Sequence, residues 1–363
     1  MTPPPLILRA FRQPEQLSAL DPAEWDLLIR QARKANLLAS LHVLLQERSV
    51  LAAAPAGPRE HLAWADALAQ RHMLAVRQEV SLIRQALQAC AVPVILLKGA
   101  AYVMAQLPSA HGRLFSDIDI LVPKERLDQV EAALMLHGWA ATHHDAYDQR
   151  YYRTWMHELP PMRHIRRMTV IDVHHAIVPD TAPVYPDPAK LRASACPVEG
   201  QAGLLTLAPA DMVLHSAVHL FHDGELDNGL RDLVDLDRLL RHFGSQPSFW
   251  PMLIERARTL ELTRPLFYAL RYTHSLLHTN VPTEALAQAT RFGHPGNATL
   301  ALMDALFSRA LLPEHPSCAD RLSGLARQML YIRASWLRMP PLLLARHLFH
   351  KAFLSPRLAE SAP

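Results

Sequence analysis

Between Ser116 and Val122 the chain runs Ser-Asp-Ile-Asp-Ile-Leu-Val, and this alternation constrains it more than any other segment. Side chains on a strand point alternately to opposite faces, so Asp117 and Asp119 share one face while Ile118 and Ile120 share the other. One face is acidic and the opposite one belongs to a core. Two neighbouring carboxylates repel and desolvate poorly, so a buried strand carries them only near its end or beside a compensating cation. A divalent metal is the natural partner. Mg²⁺, with Mn²⁺ as the second choice, prefers oxygen ligands and keeps positions for water and substrate phosphates. Taken alone, the same pair also reads as a solvated strand edge.

The segments around this strand predict an α+β unit set between helical ones. From Asp21 to Glu47 the apolar residues Trp25, Leu28, Ile29, Ala32, Ala35 and Leu38 recur at helical spacing, and Asp21-Pro22 is a good helix start. A long helical pattern covers Arg59 to Cys90. The period then shortens: Val92 to Leu97 reads as a buried strand ending in Lys98-Gly99, with a helix over Ala100 to Leu107. After the acidic strand, Leu114 to Val122, and after Pro123 comes a helix to His137 with a stop at Gly138. Further strands are expected at Tyr151 to Leu159 and at Arg167 to Ile177, and Thr181 to Gly203 reads as a linker containing a strand. From Ala210 on, seven helical blocks follow: Asp211 to Phe221, Leu230 to Phe243, Phe249 to Leu260, Arg264 to Leu277, Glu284 to Arg291, Thr299 to Leu311 and Ser323 to Trp336. For 363 residues, at roughly 150 per domain, the expected division is a helical segment 1–90, an α+β core 91–205 and a helical domain 206–363.

Asp172, in the β-branched run Thr169 to His175, can complete the acidic pair if its strand lies beside the first. Lys98 and Gly99 sit where a strand opens into a helix, a junction at which backbone amides and a lysine can hold phosphate. Arg113 lies four residues before Asp117. Each has a plainer reading, Lys98 as a surface lysine and Arg113 as an ion-pair partner of Asp117 or Glu125.

This order of features resembles the polymerase-β-like nucleotidyltransferase superfamily. More closely it is similar to a bacterial family of uncharacterised nucleotidyltransferases, through LLKGAA at Leu96 to Ala101, R-x-x-SDIDILV at Arg113 to Val122 and IDVHHAI at Ile171 to Ile177. The resemblance implies an α+β fold with a small mixed sheet and a two-metal transfer of a nucleotidyl group from an NTP to an acceptor hydroxyl. Asp117, Asp119 and Asp172 would be the catalytic metal ligands, with Asp172 also helping to deprotonate the acceptor. Lys98, Gly99, Arg113, Ser116 and His174 would bind substrate. Gly99-Ala100 stands where the superfamily usually has Gly-Ser or Gly-Gly, so the cradle of small residues is kept without its hydroxyl. The acceptor is left open among a small molecule, a polysaccharide precursor, a protein and an RNA.

Two other patterns compete. His215, His219 and His222 fall on one helix face, and His222-Asp223 matches the pair used by metal phosphohydrolases, the alternative enzyme reading. A helix packed through histidines is the plainer account, and a non-catalytic nucleotide-binding or scaffold protein is a third reading. Residues 321–359 carry seven cations and no acid, with aromatic residues between them, which suits weak contact with an anionic membrane surface or, more simply, a helical tail packed on the body.

A net charge of +3 is too small to announce a nucleic-acid binder. Cys90, Cys196 and Cys318 are too scattered for a disulfide framework or a cysteine-based zinc site, and no leader or membrane span is visible. A cytoplasmic location is expected.

Overall fold

The computed structural model describes residues 4–142, 145–222, 224, 226–340, 342, 344 and 345, with the backbone alone at 146–148. Four helices come first: α1 (Leu6–Arg12), α2 (Pro22–Lys34), α3 (Leu38–Glu47) and α4 (Ala56–Leu87). The α+β part follows as β1 (Val94–Leu96), α5 (Lys98–Met104), β2 (Asp117–Leu121), α6 (Leu127–Leu136), β3 (Trp139–Ala141), α7 (Ala146–Trp155), β4 (Met162–His164), β5 (Val170–His174), α8 (Pro188–Ala193), β6 (Cys196–Pro197) and β7 (Leu204–Thr206). Helices complete the described chain: α9 (Pro209–His222), α10 (Gly229–Phe243), α11 (Phe249–Thr259), α12 (Thr263–Leu277), α13 (Thr283–Gly293), α14 (Asn297–Ala310) and α15 (Ser323–Arg338). The fold is α+β, with helical flanks around one mixed sheet.

The expected start at Asp21 is a full capping box. The Asp21 carboxylate accepts the Glu24 amide at 2.8 Å while the Asp21 amide donates to Glu24 Oε2 at 3.1 Å. The helical face expected to continue to Glu47 is broken after Lys34. Asn36 adopts a left-handed φ of 55°, and the Leu37 amide donates back to the Ala32 carbonyl at 2.8 Å, an ending of Schellman type. Periodicity survives this break because both helices turn apolar residues into the same core.

The strand expected over Tyr151 to Leu159 is a helix as far as Trp155. Aromatic content suggests a strand there, but contacts at helical spacing prevail. Arg153 donates to Gln149, four residues back, and reaches across to Glu131 at 2.7 and 2.8 Å. Beyond the helix the end of the segment does pair, Glu158 bridging antiparallel to His174, and β4 follows.

Among the described residues the sheet has seven strands in the order β3-β4-β5-β2-β1-β7-β6. β2 pairs parallel with β5 and β1 parallel with β7, while the other neighbours are antiparallel. Ile118, Ile120, Ile171 and Val173 are buried on the apolar side. Behind the sheet, Glu79 of α4 accepts two bonds from Arg167 at 2.8 Å and one from Thr169 at 2.9 Å. This bidentate clamp ties the start of β5 to the long helix and so holds the strand that carries Asp172.

Candidate active site

The parallel register sets Asp119 directly opposite Asp172 and Asp117 opposite Val170. With side chains alternating along each strand, Asp117, Asp119 and Asp172 emerge on one face. They form a group whose carboxylate oxygens lie within 4.8 Å of one another, close enough to share an ion. The three candidate metal ligands read from the sequence are therefore brought together.

Their environments differ sharply. Asp119 is 5 % exposed; burial acts to raise its pKa, but the Lys98 ammonium, 3.5 Å away, and a hydrogen bond from His174 outweigh burial and hold it well below the usual carboxylate range. Asp172 is pushed up to about 7, first by burial and then by Asp119 and Glu158. One of its oxygens, Oδ1, is sealed from solvent and has no hydrogen-bond partner among the described residues. Asp117 is raised by burial and by Asp119. The cluster holds more negative charge than its protein neighbours neutralise, and a divalent cation fits that deficit.

A cavity of about 220 Å³ opens over Asp117 and Asp119, while Asp172 and His174 are not among the residues that line it. Lys98, Gly99, Arg113 and Ser116 line it beside Asp117 and Asp119, as do His219 of α9 and Arg231 and Asp232 of α10. Lys98 is in the left-handed region at φ 43°, a strain of roughly 1–3 kcal/mol for a residue with a side chain. Gly99 is required by close approach: a Cβ there would lie 2.8 Å from the Phe115 ring and closer still to the Arg113 guanidinium.

Arg113 pairs with neither Asp117 nor Glu125. Its Nε donates to Asp235 Oδ2 at 2.6 Å, and the guanidinium lies over the Phe115 ring at 5.0 Å. His174, expected to face substrate, is 4 % exposed and lies between two carboxylates: Nε2 donates to Asp119 Oδ1 at 2.9 Å, and Nδ1 is 3.2 Å from Glu158 Oε2. Burial opposes its protonation, but Glu158 and Asp119 outweigh that and raise its pKa.

The histidine face of α9 divides. Among the described residues two groups can hold an ion, the aspartate cluster and His157-Glu158-His174, and neither includes His215, His219 and His222 together. His219 faces the cavity with Nδ1 3.9 Å from Asp232, and burial, then Lys98, brings its pKa to about 4. His222 is instead influenced by Arg333 and Arg264. Asp223, the partner required by the phosphohydrolase reading, lies outside the described residues.

A model of the family described as uncharacterised nucleotidyltransferase matches residues 21–278, more than two thirds of the chain. The chain belongs to that family. No curated protein matches it. As a nucleotidyltransferase-family protein it has its acidic cluster on the central strands β2 and β5, while the far wall of the cavity comes from α9 and α10. Sequence reading missed His219, Arg231 and Asp232 as cavity residues and Glu158 as the partner of His174. Asp232 carries a signal only in hindsight, as one of the acids following His222. Glu158 carries none, because its segment was read as a strand.

Cations of the C-terminal region turn partly inward. Arg327 donates to the Leu312 carbonyl and Arg333 to that of Phe221, at 2.9 and 2.7 Å. Residues 346–363 lie outside the described residues, and no helix among those described is long and apolar enough to cross a membrane.

Proposed function

We propose that the protein transfers a nucleotidyl group from an NTP to an acceptor hydroxyl, with Mg²⁺, or Mn²⁺ in its place, bound by Asp117, Asp119 and Asp172. The observation that carries this reading is the register of β2 on β5, which sets Asp172 beside Asp119 and leaves its sealed oxygen without a partner. Bound there, the ions would neutralise charge on the triphosphate and favour departure of pyrophosphate.

The chain's own residues supply the rest. Lys98 acts as a point charge on the phosphates, and Gly99, Arg113 and Ser116 shape the wall against which they lie. A cavity of about 220 Å³ is smaller than the roughly 300–1,000 Å³ typical of sites for whole drug-sized ligands, so it suits the phosphate end while the base lies outside. Asp172, facing the cluster, accepts the proton of the acceptor hydroxyl as its oxygen bonds to the α-phosphorus and the bond to pyrophosphate breaks. His174 is shielded from substrate and orients Asp119. The acceptor is a small molecule, a polysaccharide precursor, a protein or an RNA, met in a cytoplasmic setting that suits three free thiols.

Calorimetric titration with NTPs in the presence and absence of Mg²⁺ tests this. Asp117→Ala should abolish metal-dependent NTP binding while the melting temperature holds or rises, because removing one of three crowded carboxylates relieves repulsion. Unchanged affinity with a large fall in melting temperature would sink the metal role. Affinity without turnover for any acceptor class would favour the non-catalytic reading instead.

A further inference from the structure

A second set of ligands lies two residues beyond Asp172 on β5. His157, Glu158 and His174 bring two imidazoles and a carboxylate together, with their ligand atoms within 4.8 Å of one another. The backbone holds them there. Glu158 bridges antiparallel to His174, the Leu159 amide donates to the Val173 carbonyl at 2.9 Å, and the His175 amide donates to the His157 carbonyl at 2.8 Å. The short segment after α7 is thus bound along the end of β5, and the side chains converge without further folding.

The polar atoms at this point are incompletely satisfied. Nδ1 of His157 and Nδ1 of His174 are both sealed from solvent and make no hydrogen bond in the described structure. Nδ1 of His174 does approach Glu158 Oε2 at 3.2 Å, but as a bare ion-pair distance rather than an aligned hydrogen bond. That separation is close to the roughly 3.3 Å expected between two ligands of a tetrahedral ion with bonds of about 2.0 Å. The imidazole rings of His157 and His174 have their centroids 5.3 Å apart and are tilted by 31°.

The other nitrogen of His174 completes the pattern. An ionised carboxylate can only accept, so Nε2 carries the proton it donates to Asp119 at 2.9 Å, which leaves Nδ1 as the ligand atom. A metal-bound histidine almost always gives its remaining N–H to a carboxylate or carbonyl, and here that acceptor is itself a member of the aspartate cluster.

We infer that His157, Glu158 and His174 form a first-row transition-metal site, suited to Zn²⁺, that is separate from the aspartate cluster and joined to it through the His174–Asp119 hydrogen bond. The N₂O donor set, with Glu158 and His174 at 3.2 Å, favours zinc over Mg²⁺, which seeks oxygen ligands in an octahedron. Three protein ligands leave a fourth position for water or a substrate atom. Zinc held there would offset the charge of Glu158 and fix the ring of His174, and so hold Asp119 through their hydrogen bond.

Elemental analysis of protein purified without chelating agents, followed by re-addition of Zn²⁺ or Co²⁺ to stripped protein, tests the site without any assay of transfer. The wild type should hold about one zinc per chain and, reloaded with Co²⁺, show the intense visible absorption of a tetrahedral site. Glu158→Gln and His157→Gln should each weaken zinc binding at least about tenfold, the loss usual for removing even an outer partner of a ligand. Asp117→Asn and His222→Gln should keep the zinc. Wild-type protein that takes up neither ion would overturn the inference and leave His174 as an imidazolium bridging two carboxylates. Zinc lost equally in Asp117→Asn would also overturn it, since the ion would then belong to the aspartate cluster. If Glu158→Gln fails to fold, His157→Gln and the Co²⁺ spectrum of the wild type still decide. Unchanged nucleotide binding in Asp117→Ala with zinc intact would overturn the transfer reading alone.

Discussion

Two groups of aspartates, one on the sheet and one on α10, are treated differently by the protein. On α10, Asp232, Asp235 and Asp237 are all buried, yet each has a guanidinium at hydrogen-bond distance: Arg231 at 2.8 Å, Arg113 at 2.6 Å and Arg241 at 2.7 Å. Asp237 also accepts from Thr279 at 2.6 Å. On the sheet, Asp117, Asp119 and Asp172 meet with Lys98 at 3.5 Å and His174 at 2.9 Å, both directed at Asp119. In the first group each carboxylate has its own guanidinium and acts as scaffolding, although burial still raises Asp235 and Asp237 above the ordinary carboxylate value. The second is left with excess negative charge beside a cavity, which is where a cationic ligand gains most.

Removing one partner from the paired group should therefore have the largest effect on stability. Arg113→Met leaves Asp235 buried without its cation, and breaking such a pair costs about 3–5 kcal/mol. Adding Asp235→Asn should recover most of the loss, because an amide needs no countercharge. Urea denaturation of the two single variants and the double variant measures the coupling. In the same assay Asp172→Asn should be neutral or stabilising. Equal destabilisation by Arg113→Met and Asp172→Asn would erase the distinction between the two groups.

That distinction was half legible in the sequence. The alternation of Asp117, Ile118, Asp119 and Ile120, and of Ile171, Asp172 and Val173, carries its own facing, so strand identity and the acidic cluster could be read locally. Pairing within α10 could not. Arg113 and Asp235 are 122 residues apart, and only the packing of α10 on the turn before β2 makes them partners. Glu158 was hidden for a different reason: aromatic residues in Tyr151 to Trp155 suggested a strand, whereas the contacts of Arg153 at helical spacing and with Glu131 favour a helix. The left-handed backbone at Lys98 was equally out of reach, since a lysine gives no local sign of such a conformation.

Lys98 is the main cation of the sheet group, and its loss should have a smaller, selective effect. A charged hydrogen bond contributes roughly 1.5–3 kcal/mol. Lys98→Ala should accordingly weaken ATP binding on the order of ten- to a hundredfold while adenosine binding changes little, as titration calorimetry would show. A parallel loss for both ligands would mean that Lys98 supports the fold and Asp119 rather than the phosphates.

His222 sharpens the comparison with the smallest effect. A buried acid lacking a countercharge needs either a proton or a cation, but a buried histidine escapes the same penalty by remaining neutral. Burial, then Arg333 and Arg264, lowers the His222 pKa to about 4 from an ordinary 6.5. The unfolded chain thus binds a proton at higher pH than the folded one. The contribution of His222 to stability is fully present above about pH 6.5 and declines as pH falls through 6.5 toward 4. His222→Gln should remove part of this acid sensitivity, so its melting temperature relative to wild type should improve on going from pH 7.5 to pH 5. The glutamine cannot take up a proton in that range. Melting curves at the two pH values, with metal analysis of the same samples, give the answer. An unchanged pH slope would refute the burial argument, and loss of a stoichiometric metal in His222→Gln would show that this histidine belongs with the under-neutralised aspartates as a site for an ion.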